Sequence, residues 1–450
     1  MEAGLAPVVV VRGPRRIGKT VAQMQLISDL LSEGVDPRRI LHVQFDELSL
    51  SRLQEPILRI VDWFETNVLG ASLNQAAHAG RPAFLFLDEV QNLEAWAPQL
   101  KFLVDSSSVK AFVTGSSALR IEQGRDSLAG RISTLESGVL SLTEIGIFRG
   151  MSGPKPFLAD NGLGPLTQMA FWRDLRSHGE QHAPFRDAAF ASFSERGGYP
   201  LVHERAEVEW SLLADQLNET VIKRVIQHDL RVGERGRKRD PNLLEELFRL
   251  ACRYAGQTPT VEFLVKEVRQ SLGANVGAQR VTSYLQFLAD ALLLRAIPPL
   301  EIRLKRRRGR PKICLIDHGL RASWLQEQIP LAPAQLRLHS NLTSIAGHIA
   351  ESVVGSVLGS IHGLDIAHQP DRPGEPEVDF VLTIGATRIP IEVKYRGEIR
   401  SGEHTQGLRS FLGRTVNNAP FGILLTRDFE AELQDPDIVA LPLSSFMLLR

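Results

Sequence analysis

Gly13-Pro14-Arg15-Arg16-Ile17-Gly18-Lys19-Thr20 fits the spacing G-x-x-x-x-G-K-[ST], a set of residue types suited to holding a polyphosphate. The glycines let the backbone curl so that successive N–H groups point inward at phosphate oxygens. Lys19 brings a positive charge for β- and γ-phosphates, and the Thr20 hydroxyl is a ligand for Mg²⁺. From Val21 onward a helix is expected, and its N-terminus places a partial positive charge under the phosphates. A surface loop could carry the same letters by accident, but here a strand precedes them and a helix follows, as the motif requires.

A second constellation is Phe84-Leu85-Phe86-Leu87-Asp88-Glu89. An apolar strand ending in two acids delivers carboxylates to a sheet edge. Asp88 is expected to hold Mg²⁺ through water, and Glu89 to polarise the attacking water as general base. Thr114, Ser116 and Ser117 follow the next strand, either as a polar sensor of the γ-phosphate or as ordinary turn residues. Arg131 reads as an arginine finger reaching a nucleotide in a neighbouring protomer, or as a surface arginine paired with Glu136.

A third set lies near the C-terminus: Glu377-Val378-Asp379, then Ile391-Glu392-Val393-Lys394. Glu392 and Lys394 are two apart on a strand and leave it on the same face, while Ile389, Ile391 and Val393 pack the other. Asp379 opens the neighbouring strand, and Glu351 on the preceding helix adds a carboxylate. Asp379, Glu392 and Glu351 could bind a divalent metal, with Lys394 orienting or deprotonating a water beside a phosphodiester. Alternating charge on a solvated strand would look the same. Finally, Arg303, Lys305–Arg308, Arg310 and Lys312 form a basic run that is either a solvated loop or a surface for DNA or RNA phosphates.

These residues need elements to position them. Val8–Val11 reads as a strand buried on both faces, the next helix spans Val21–Leu31, and further strands fall at Ile40–Phe45, Ala83–Leu87 and Lys110–Thr114. Strands alternating with helices predict a three-layer α/β/α domain over residues 1–145. A helical lid or linker is expected over 146–235, with Gly150–Leu166 as loop. Helices at Leu243–Tyr254, Thr260–Leu272 and Ala278–Leu294, then strands at Ile297–Leu304 and Lys312–Ile316, outline a winged helix over 236–330. Pro330–Pro333 reads as a linker. A C-terminal α/β domain over 335–450 opens with a helix near Ser344–Leu358 and continues with strands at Val378–Ile384 and Arg388–Tyr395.

The 450 residues carry 52 basic and 52 acidic side chains, so no global field draws the chain to nucleic acid or membrane, and any such contact needs a local patch. Cys252 and Cys314 lie too far apart for metal-ligand spacing and read as buried thiols. No apolar run of about 18 residues is legible, and the N-terminus has no charged-then-apolar leader, so a cytoplasmic chain without membrane contact is expected.

Taken in order, Gly13–Thr20, Leu87–Gln91, Thr114–Ser117, Gly197-Gly198-Tyr199-Pro200, Pro311–Leu320, Glu377–Phe380 and Ile391–Lys394 resemble the prokaryotic AAA-type ATPases of the archaeal-ATPase, STAND-like kind. Members carry a winged helix and a C-terminal domain similar to PD-(D/E)xK nucleases. The resemblance implies ATP and Mg²⁺ bound by Gly13–Val21, Asp88 and Ser116. It also implies a restriction-endonuclease-like C-terminal fold with Glu351, Asp379, Glu392 and Lys394 at the corresponding positions. Relatives lead into the first strand with a basic segment that is not read here, and no second sensor arginine is legible. The resulting expectation is a nucleotide-controlled switch coupled to a nuclease-like domain that binds nucleic acid or a protein partner. The rival readings are an ATP-gated metal-dependent endonuclease, and an assembly ATPase that forms homo-oligomers without a nucleic-acid role.

Overall fold

The computed structural model describes residues 6–45, 53–93, 95–115, 128–158, 162–226, 240–301, 309–428, 433 and 435–450, with backbone only at 401. The chain divides into two compact units, the first ending at Gly138 and taking in 290–292, the second holding the rest.

The first unit is built on five strands: β1 Val8–Arg12, β2 Ile40–Gln44, β3 Phe84–Asp88, β4 Lys110–Gly115 and β5 Ile132–Glu136. They pair in parallel in the order β2-β3-β4-β1-β5. A parallel sheet is covered on both faces, which explains the unbroken apolar runs. Along β3 the side chains alternate between two cores. Leu85 and Leu87 join Val8, Val10, Trp96 and Leu100 on one face. Phe84 and Phe86 meet Leu30, Leu26 and Ile27 of α1 (Lys19–Ser32) on the other. The expected α/β class therefore holds. Helix α1 buries less of its apolar content than its spacing suggests: Val21 and Met24 are exposed, because the inward positions of its first turns belong to Lys19 and Gln23. Strand β4 lies between β1 and β3, so three strand ends, Arg12, Gly115 and Asp88, converge on one edge. Ligands of open α/β sheets bind outside those carboxyl ends.

In the second unit, α2 (Met169–Gln181) and α3 (Ala183–Arg196) precede three helices, α4 (Pro241–Arg253), α5 (Val261–Leu272) and α6 (Ala278–Asp290). A two-stranded antiparallel hairpin follows, β6 (Leu294–Ile297) with β7 (Lys312–Leu315), in the register Ile297↔Lys312. The hairpin begins earlier than the sequence suggested, because the chain turns at Leu292 (φ 55°) and α6 stops at Asp290. After α7 (His318–Leu325) and α8 (Thr343–Gly359) comes a mixed sheet. Its strands are β8 (Asp365–Gln369), β9 (Val378–Ile384), β10 (Thr387–Lys394), β11 (Gly422–Thr426) and β12 (Ile438–Pro442). Strands β8, β9 and β10 are antiparallel neighbours, and β10, β11 and β12 run parallel.

The lid, winged-helix and C-terminal segments expected as separate domains share one core. Trp172 of α2, Phe190 of α3, Cys314 of β7, Val354 of α8 and Ile391 of β10 all belong to it. Two expected linkers are packed as well. Phe157 and Leu158 donate backbone hydrogen bonds to Leu448 and Leu449, and the N–H groups of Leu331 and Ala332 both donate to Ser194 Oγ. Both cysteines are buried and free. Ser340–Gly359 is long and apolar enough to cross a membrane by length and composition, contrary to the sequence reading, yet Ala346, Ile349, Ala350, Val353, Val354 and Leu358 lie in the core.

The Gly-Gly-Tyr-Pro and Asp-His-Gly-Leu signatures meet in the second unit. Asp317 accepts from the N–H groups of Gly198 (3.1 Å) and Gly319 (3.0 Å). A Cβ on Gly197 (φ 79°) would stand 2.3 Å from Asp317 Oδ1, so only glycine fits. Beside them His203 is buried, with Nε2 at 2.7 Å from the Gly197 carbonyl and Nδ1 accepting from Arg149 Nε at 3.3 Å. Those partners suit a neutral ring protonated on Nε2. Burial pushes its pKa down to about 4, against the pull of the Gly197 carbonyl and with help from Arg149 and Arg196. The unfolded chain takes up this proton near pH 6.5. The stability contribution is therefore full above that value and is lost as pH falls towards about 4, by roughly 3 kcal/mol. Urea unfolding of the full chain should show this slope, and His203→Gln should flatten it; an unchanged slope in the variant would refute the assignment.

Candidate functional site

The loop Gly13–Gly18 leaves β1 and enters α1. Arg16 (φ 64°) and Gly18 (φ 95°) both take left-handed backbone conformations, which turn successive N–H groups to one side. A Cβ on Gly13 would stand 2.4 Å from Ile17 Cδ1 and 2.5 Å from the Ser137 carbonyl oxygen, so the loop's first position admits glycine alone. No side chain caps α1 at Gly18, and its first turn holds no acid. Its N-terminus is thus left to attract an anion. Lys19 is buried, and its ammonium donates to the carbonyls of Gly13 (3.0 Å) and Pro14 (2.7 Å), bridging the mouth of the curl.

Strand order brings the second half of the site alongside. Asp88 is fully buried; its Oδ2 accepts from Thr20 Oγ1 at 2.7 Å, and its Oδ1 from the Glu89 N–H at 3.1 Å and from the Thr114 hydroxyl. Gln23 Nε2 reaches Thr114 Oγ1 and the Leu87 carbonyl, each at 3.4 Å. Thr20 and Asp88, the pair expected at Mg²⁺, are therefore in direct contact, so the donor set suits a hard cation that prefers oxygen. Glu89 sits in the left-handed region (φ 54°), and its carboxylate accepts from the side chain of buried Gln91. The sequence reading missed Gln91 and Gln23; Gln91 was visible only as the fourth residue after Leu87. Ser116 and Ser117 lie outside the described residues. Arg131 pairs with Asp105 rather than with Glu136, which is bonded to Arg12 at 2.9 Å.

The C-terminal acids also converge, with one addition. Asp379 Oδ2 accepts from the Val393 N–H at 2.9 Å. Its Oδ1 accepts at 2.6 Å from the ammonium of Lys312, which also donates to Glu351 Oε2 at 2.9 Å. Glu377 Oε1 stands 3.9 Å from the same nitrogen, and the Phe380 ring lies 5.1 Å from it. Glu392 pairs with Lys394. Burial raises Glu351, with Asp379 adding to the effect and Lys312 opposing it. Burial and Asp379 push Glu392 up to about 8 against Lys394. Burial would lower Lys312 and raise Asp379, but their mutual attraction, with Glu351 and Lys394, reverses both. Among the described residues, no three His, Cys, Asp or Glu side chains meet in a metal-binding group. The expected Glu351–Asp379–Glu392 metal set therefore does not fit: an ammonium stands between two of its members. Lys312 also departs from the expected basic run, since it is 1% exposed and offers nothing to a phosphate backbone. Arg310 is exposed, and Arg303 and Lys305–Arg308 lie outside the described residues.

Residues 6–146 match the family model of an AAA domain, and residues 188–329 match a domain of unknown function (DUF8612). An uncharacterized protein of Haemophilus influenzae is 21% identical over 323 residues, covering 69% of this chain and 68% of that one. An uncharacterized protein of Mycobacterium tuberculosis is 24% identical over 319 residues, covering 70% of this chain; the chain spans only 55% of its length. Among solved structures, Drosophila ORC bound to DNA aligns with TM-score 0.26 and 11% identity, over 69% of this chain and 87% of that chain. The S. cerevisiae Hsp104–ADP complex aligns with TM-score 0.27 and 12% identity, over 79% and 43%. Scores this low carry no functional weight. The AAA match covers the stretch on which the curled loop, the Thr20–Asp88 contact and the parallel sheet are all built: the first unit contains an AAA-type P-loop ATPase domain.

Proposed function

We propose that the chain is a nucleotide-controlled switch: its first unit binds and hydrolyses Mg-ATP, and its second unit is an effector that binds nucleic acid or a protein partner. The observation that carries the reading is the 2.7 Å contact between Thr20 at the start of α1 and Asp88 at the end of β3, with Glu89 next to it. The N–H groups of Gly13–Gly18 and the Lys19 ammonium would hold the phosphates, and Thr20 and Asp88 would hold Mg²⁺, which supplies charge neutralisation for phosphoryl transfer. Glu89 is the general base. Its carboxylate accepts a water proton while Gln91 fixes its orientation. Thr114, bonded to Asp88, links that carboxylate to the end of β4 and can sense the terminal phosphate together with Ser116. Arg131 is held by a surface ion pair with Asp105. Such pairs are weak, so Arg131 is available to a neighbouring protomer. Dependence on ATP is consistent with work in the cytoplasm.

Two features support the effector reading. Three helices followed by an antiparallel hairpin have the order of a winged helix. Strands β8–β12 behind α8, with Glu351, Asp379, Glu392 and Lys394 gathered at one place, have the order of a nuclease-like fold. The basic residues that lie between β6 and β7 in the sequence, Arg303 and Lys305–Arg308, are the candidate partners for phosphates. Filter binding of a short duplex should weaken as salt rises, and replacing Arg306–Arg308 by alanine should reduce the slope of log K against log salt by about 3. An unchanged slope would remove the hairpin from the interface. Hydrolysis of ATP by the full chain, lost on substitution of the loop residues, tests the switch itself.

A further inference from the structure

The cavity beside the C-terminal acids holds about 680 Å³ and is lined by residues of the α4–α5 connection, α8, β9 and β10. In a metallonuclease this is where a divalent ion would bridge carboxylates and activate water. Here the bridging position belongs to a side chain. We infer that Lys312 is a resident cation: its ammonium takes the place between Glu351 and Asp379 that a divalent metal would need, so the nuclease-like pocket is closed to metal and does not cut phosphodiesters. The inference rests on reading the C-terminal fold as nuclease-like.

The geometry shows that Lys312 is built in. Its nitrogen lies 2.6 Å from Asp379 Oδ1 and 2.9 Å from Glu351 Oε2, and the side chain is 1% exposed. Asp379 spends its other oxygen on the Val393 N–H. Strand β7, which carries Lys312, is clamped on all sides. It pairs with β6, and Ile313 exchanges backbone hydrogen bonds with Gly256 (2.7 Å) and Gln257 (2.9 Å). Leu315 N–H donates to Ser352 Oγ of α8 at 2.8 Å. Gly256 is itself pressed against α8, where a Cβ would stand 2.1 Å from the His348 carbonyl oxygen. The backbone from which the Lys312 side chain springs is therefore fixed by its own packing.

Charge completes the argument. Lys312 and Lys394 already serve Glu351, Asp379 and Glu392. A divalent ion added to this set would sit at short range from two ammonium groups, and like charges repel. The substitution of one cation for another also explains a lysine at so buried a position: a buried carboxylate pair needs a counter-charge.

The test is Mn²⁺ binding to nucleotide-free full chain, read by electron paramagnetic resonance, for the parent, Asp379→Asn, Lys312→Met and Lys312→Met/Asp379→Asn. Methionine fills the stem's volume without its charge. The parent should bind no Mn²⁺ that depends on Asp379, whereas Lys312→Met should gain one site at least tenfold tighter than any in the parent and lose it with Asp379→Asn. If Lys312→Met is soluble only with Mn²⁺ present, the exchange of cations is supported directly. Asp379-dependent Mn²⁺ binding in the parent overturns the inference while leaving the nuclease-like reading intact, and this arm stands even if the lysine variants do not fold. Absence of a site in both the parent and folded Lys312→Met overturns the inference and the nuclease-like reading together.

Discussion

Lys19→Ala should weaken ATP binding on the order of 100-fold, about 3 kcal/mol, the scale of losing charge-assisted hydrogen bonds to a phosphate. The loss is expected to be this large because the loop relies on one ammonium. Lys19 is buried, its ammonium donates to the Gly13 and Pro14 carbonyls, and no side chain caps the helix below. Backbone N–H groups would still attract phosphate, so binding should be crippled rather than abolished. Calorimetric titration with ATP and Mg²⁺ measures this. A variant that binds as the parent does would mean that the curled loop is not the nucleotide site.

Glu89→Gln should lower the ATP hydrolysis rate by roughly 10²–10⁴, the range for losing a positioned general base, while leaving ATP affinity within a few-fold. The separation follows from geometry. Affinity depends on the loop, Thr20 and Asp88, whereas the Glu89 carboxylate is oriented by Gln91 and, in the proposed role, acts on water rather than on the phosphates. Its backbone is left-handed, and glutamine preserves the side chain's shape while removing its charge. Steady-state phosphate release alongside nucleotide titration separates the two effects. Equal loss of rate and affinity would place Glu89 in binding rather than in chemistry.

The first unit was legible in the sequence because its determinants are local. The Gly13–Thr20 spacing, the apolar strand before Asp88 and the helix after Thr20 each lie within a few residues of the chemistry they serve. The direct bond from Thr114 to Asp88 was not legible: it requires β4 to lie between β1 and β3, and strand order is set by the whole sheet. The C-terminal site shows the same division. Glu392 and Lys394 follow from strand alternation and do share a face. Lys312 sat in a basic run and read as one more exposed cation, because its burial depends on pairing with Ile297 and on carboxylates 39 and 67 positions further along the chain. Pro330–Pro333 misled for a related reason. Prolines mark a turn, but only the tertiary fold reveals that Ser194 receives the neighbouring N–H groups and buries the segment.

Direct titration of the full-length parent chain with ATP, in the presence and absence of Mg²⁺, tests the central claim. Saturable uptake of one nucleotide per chain, tightened by Mg²⁺ and losing that Mg²⁺ dependence in Asp88→Asn, is the expected result. Folded protein that takes up no ATP, or takes it up equally well without the magnesium-holding pair, would contradict the account.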